Sequence, residues 1–116
     1  MFSLEVEKDS AEYDPFLTLK FSSEKCRFTF HPEAPVPITV ADSGSFNSRP
    51  SNGDCSFTWN SETITFDVGK YGDGEGGNLI IDVVNSPETM ASLQKCLTKW
   101  NEVLSDPNIP LGTYTF

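Results

Sequence analysis

The sequence predicts an α+β fold: an antiparallel sheet of about six or seven strands, with one C-terminal amphipathic helix packed on it. Three observations carry this. Up to about residue 85 the apolar side chains alternate with a period of two; after Ser86 they recur at helical spacing; and helix boundary signals sit where the period changes. The chain of 116 residues is long enough for one domain with one core.

The first strand is expected over residues 2–7, where Phe2, Leu4 and Val6 share a face. Residues 16–22 and 25–31 read as a hairpin turning at Ser22 to Lys25, with Leu19 and Phe28 on the buried side. His31-Pro32 ends it. The run from Pro32 to Pro37 holds three prolines, each without a ladder donor, so it reads as an extended edge segment leading to a short strand at Ile38–Val40. Residues 41–54 read as a loop longer than the usual connection of about four to six residues. Strands over 55–59 and 63–68 form a hairpin around Asn60-Ser61-Glu62, and the glycine-rich segment 69–77 leads to a strand at 78–84.

The helix is expected over 87–104. Ser86 can cap it, Pro87 suits its first turn, Glu88 favours the positive end of its dipole and Ser105-Asp106-Pro107 stops it. Met90, Leu93, Leu97, Trp100 and Leu104 form its apolar stripe, and burial of each contributes about 2 kcal/mol. In the remaining tail, residues 105–116, the side chains of Ile109, Leu111, Tyr114 and Phe116 suit either folding back on the sheet or binding in a partner's groove.

Composition narrows the partners. Seventeen acidic side chains against eight basic ones give a net charge of −9, which repels phosphate backbones and anionic lipid and attracts a basic protein surface. No apolar stretch approaches the roughly 20 residues of a membrane helix, and the N-terminus does not read as a secretory signal. Three cysteines without paired spacing, Cys26, Cys55 and Cys96, suit buried small hydrophobes in the cytoplasm or another reducing intracellular compartment.

The residues carry no recognisable catalytic, metal or cofactor motif, so no cofactor is expected. His31 has no nucleophile placed near it by sequence. The segment Gly69 to Gly77 lacks the ending of a P-loop and the ligand spacing of an EF-hand. Binding function is then expected in the two irregular segments: Phe46 and Arg49 in 41–54, Lys70 and Tyr71 in 69–77, aromatic and cationic side chains of the kind that anchor interfaces. If both loops leave the sheet at one end, these four form a single patch.

About seven strands followed by one helix resembles the element order of the pleckstrin-homology-like superfold. The resemblance implies a barrel-like sheet and, because the first connection Asp9 to Asp14 is acidic rather than basic, protein or peptide binding at a sheet edge instead of phosphoinositide binding. A two-layer open sheet with a covering helix fits the same order. Three classes of function are compatible: a non-enzymatic protein-binding module using the loops or a sheet edge, an acidic inhibitor or immunity-type protein that blocks a basic or nucleic-acid-binding site by charge mimicry, and a small enzyme or ligand carrier. An uncovered strand edge would also admit a homodimer.

Overall fold

The computed structural model describes residues 1–8, 15–32, 36–47, 56–70, 78–106 and 108–116. In chain order its elements are β1 (Phe2–Lys8), β2 (Pro15–Ser22), β3 (Arg27–Phe30), β4 (Gly44–Asn47), β5 (Ser56–Trp59), β6 (Thr63–Lys70), β7 (Asn78–Val84), α1 (Pro87–Ser105) and β8 (Gly112–Thr115). The strands form two four-stranded antiparallel sheets, ordered β3-β2-β1-β8 and β4-β5-β6-β7. Among the described residues no pairing joins the two, so the sheets stay open and do not close into a barrel.

The alternation of the sequence explains how the sheets meet. Register places Phe46, Phe57, Phe66 and Ile81 in one row across the inner face of the second sheet. Phe2, Phe21 and Phe30 reach across from the first sheet. Ring centroids lie 5.4 Å apart for Phe2–Phe57, 4.9 Å for Phe21–Phe66 and 4.9 Å for Phe30–Phe57. Such pairs contribute about 0.5–1.5 kcal/mol each beyond the area they bury. Leu4, Leu19 and Ile64 complete this interior, fully buried.

The helix packs chiefly on β1, with further contacts to β2 and β8. Its buried face is Ser92, Leu93, Cys96, Leu97, Trp100 and Val103, while Met90 and Leu104 lie half-buried at the margins of the expected stripe. The boundary signals act as read. Ser86 Oγ accepts the Thr89 N–H at 3.1 Å, Pro87 fills the first turn and Asp106 is the C-cap. Ser92 fits the buried face because its hydroxyl is doubly used: it accepts the N–H of Phe2 at 3.1 Å and donates to Thr89 O at 2.9 Å.

One segment takes the first of its two expected courses, and another departs from the sequence reading. The tail folds back: β8 pairs with β1 from Ser3–Thr115 to Val6–Gly112, and Lys99 of the helix sits 5.2 Å from the centroid of the Tyr114 ring. The span 41–54 is not all loop, since β4 lies within it, and β6 runs through Gly69 to Lys70. Gly44 on β4 faces Trp59, whose indole lies so close that a Cβ there would stand 2.7 Å from two ring carbons. A residue without a side chain is what lets the ring cross the strand.

Candidate functional site

The site begins with a stretch of backbone that cannot join a sheet. Residues 36–41 run extended past the helix, and no strand forms at Ile38–Val40, contrary to the sequence reading. The reason is that side chains take the groups a neighbouring strand would take. Asn101 Oδ1 accepts the Ile38 N–H at 2.8 Å, and Asn101 Nδ2 donates to Ile38 O at 2.7 Å. Trp100 Nε1 donates to Val36 O at 2.8 Å, and Trp59 Nε1 to Ala41 O at 3.1 Å. Gln94, two turns before Asn101 on the same side of the helix, reaches Ala41 O at 3.3 Å and Asp42 Oδ1 at 3.1 Å.

Between this strap and β4 lies a groove of about 400 Å³. Its apolar lining comes from Val36, Ile38, Phe46, Trp59 and Trp100; Thr39, Ser43, Ser45 and Asn47 supply polar groups. β4 is the edge of its sheet. The phase of the ladder decides which of its backbone groups face the groove. Asn60 N–H donates to Thr63 O at 3.0 Å, which makes 60–63 a hydrogen-bonded pair. Thr58 and Ser56 then bond toward β6, Trp59 and Phe57 toward Gly44 and Phe46, and Ser45 and Asn47 turn their N–H and C=O outward to the groove. Among the described residues no hydrogen bond takes up those groups.

The four residues expected to form a patch divide. Phe46 is a core side chain, 3% exposed, edge-on to Trp100 at 5.4 Å and stacked on Phe57 at 5.5 Å. It faces inward because β4 places it in register with Phe57, and it reaches the groove only as part of its wall. Arg49 and Tyr71 lie outside the described residues, and of Lys70 the backbone alone is described, at the end of β6. Register does settle where the two connections leave the sheet. Asn47, Ser56, Asp67 and Ile80 form one cross-strand row, so segments 48–55 and 71–77 depart from the same end. Of the groove's lining, the sequence singles out Phe46 alone as a binding residue. Trp100 reads as core; for Gln94 and Asn101 the available signal is their seven-residue spacing on one side of the helix.

Three sets of titratable groups lie elsewhere. Glu5 and Glu7 hydrogen-bond to each other, which holds Glu5 below the ordinary carboxyl range, helped by its ion pair with Lys20, and pushes Glu7 above it. His31 lies 3.3 Å from the Thr18 hydroxyl and stacks on Phe16 at 5.9 Å. Burial pushes the Cys96 thiol up to about 12, too high for a nucleophile at neutral pH. Among the described residues no group of three or more His, Cys, Asp or Glu side chains is placed to hold a metal ion, and no helix is long and apolar enough to cross a membrane.

Compared with known proteins, the chain matches no family model, no curated protein sequence and no solved structure. The groove and the strand edge therefore have to be interpreted from their own chemistry.

Proposed function

We propose that the protein is a small, acidic, non-enzymatic binding module that takes an extended segment of a protein partner along β4. The observation that carries this is the coincidence of two features in one place. Ser45 and Asn47 present backbone donors and acceptors that find no partner among the described residues, and they do so at the mouth of an apolar groove walled by Trp59, Trp100 and Ile38. Addition of a strand to such an edge draws affinity from main-chain hydrogen bonds and selectivity from alternate side chains entering the groove. The strap opposite cannot fill the edge itself, because Asn101 and Trp100 hold it against the helix.

The charge distribution favours a basic partner. From Asp42 to Val84 the sequence carries seven acidic residues, Asp42, Asp54, Glu62, Asp67, Asp73, Glu75 and Asp82, against two basic ones, Arg49 and Lys70. A partner carrying lysine or arginine beside its extended segment is attracted at long range, and salt weakens that attraction. The same one-sided charge supports the second reading, occupation of a basic active site or channel by charge mimicry.

Selection from a displayed library of random peptides tests the groove. The protein is expected to enrich peptides with alternating apolar residues and flanking cations. Ser45→Pro removes a groove-facing N–H while sparing the ladder to β5, and it should lose those peptides while keeping its fold. Peptides retained equally by Ser45→Pro would show that the edge is not the binding site.

A further inference from the structure

The other edge of the same sheet has the opposite character. β7 is flanked only by β6 among the described residues, and its sequence from Asn78 to Val84 holds neither proline nor lysine, two of the usual devices that keep a free edge from pairing. Three of its apolar side chains are exposed: Leu79 at 41%, Ile80 at 51% and Val84 at 83%. We infer that β7 is a self-association edge, pairing antiparallel with β7 of a second copy about a two-fold axis at Ile81.

Ladder phase and residue pattern select this occupant and this register. Asn85 N–H donates to Glu62 O at 2.9 Å, in step with the β6–β7 register, so Val83 and Ile81 bond toward β6. Ile80, Asp82 and Val84 therefore direct their N–H and C=O to the free edge. A two-fold axis normal to the sheet pairs residues of like facing. With the axis at Ile81, Ile80 exchanges both bonds with Asp82 of the second copy, and Asn78 does so with Val84. Leu79 then meets Val83, and Ile81 meets itself, in the pairs without hydrogen bonds, where side chains approach most closely. Moving the axis to Asp82 would set two carboxylates face to face, and moving it to Ile80 would leave Val84 unpaired. The full strand is self-complementary in one register only.

A single strand edge buries less than the roughly 1,600 Å² of a standard interface, so the dimer is weak and concentration-dependent. Each copy carries a net charge of −9, and added salt therefore strengthens this association, the reverse of its effect on a basic partner. This edge lies across the sheet from the groove, which makes the two surfaces separable by experiment.

Sedimentation equilibrium on the full chain, at low and high salt, is the test. The native protein is expected to dimerise more tightly at high salt. Asp82→Pro, which removes a free-edge N–H, should weaken the dimer at least about tenfold. Ile80→Lys places a cation opposite Asp82 of the second copy and at low salt should tighten it about five- to tenfold. A protein that stays monomeric up to about 1 mM overturns the proposal. So does a dimer indifferent to Asp82→Pro, and a dimer weakened by Ile80→Lys overturns the register. Should Asp82→Pro fail to fold, the Ile80→Lys result decides alone. Peptide binding by the groove is read separately from either outcome.

Discussion

The side-chain amide of Asn101 holds the backbone of Ile38 by two hydrogen bonds, accepting its N–H at 2.8 Å and donating to its C=O at 2.7 Å. One residue of the helix thereby does for the strap what a neighbouring strand would do, and one wall of the groove depends on it.

Replacing Asn101 with Ala should free that wall. Half-buried polar groups left without partners cost about 1–3 kcal/mol, and the loss should appear as faster amide exchange at Ile38 with little change at Leu4 or Leu19. Exchange at Ile38 as slow as in the native protein would mean that the amide does not hold the strap.

Gly44→Ala tests the contact between β4 and Trp59. A Cβ at 2.7 Å from the indole forces the ring to shift. The expected cost is about 1–3 kcal/mol in chemical denaturation, with altered tryptophan fluorescence as the Nε1–Ala41 hydrogen bond is strained.

Phe46→Ala should behave as a core truncation, losing about 3–5 kcal/mol because the ring is buried between Phe30, Phe57 and Trp100. A stability near that of the native protein would show that the ring does not pack in the core.

The Glu5–Glu7 pair predicts two displaced titrations in carbon-detected NMR. Glu5, held low, favours the fold above the ordinary Glu value, and that contribution is lost as pH falls through its depressed value. Glu7, held high, favours the fold below the ordinary value, and its contribution fades as pH rises through the raised one. Glu5→Gln should bring Glu7 back down toward the usual range. An unmoved Glu7 would remove Glu5 as the cause.

Much of the fold was legible because its signal is local. Alternation at Phe2-Leu4-Val6 or Ile64-Phe66-Val68 is written in consecutive residues, and the helix start at Ser86-Pro87 is a local hydrogen-bonding problem with a local answer. Gly44-Ser45-Phe46-Asn47 reads as loop because it offers one apolar residue, too few to show a period; its strand state comes from pairing with Ser56–Trp59. The same isolation gives Phe46 the look of an exposed anchor in the sequence. The groove was illegible for a different reason. Val36, Phe46, Trp59 and Trp100 come from four separate segments, and only the packing of helix against sheet brings them together.

The β1–β8 ladder has a mechanical consequence. Ser3 lies opposite Thr115 and Val6 opposite Gly112, so Met1 and Phe116 leave the ladder at the same end. Force applied between them acts along the hydrogen bonds one pair at a time, as a zipper is opened, instead of shearing all of them together. Under tension the protein should yield first there, shedding β8 from the sheet at low load while the aromatic interior formed by Phe21, Phe30, Phe57 and Phe66 still holds the two sheets closed.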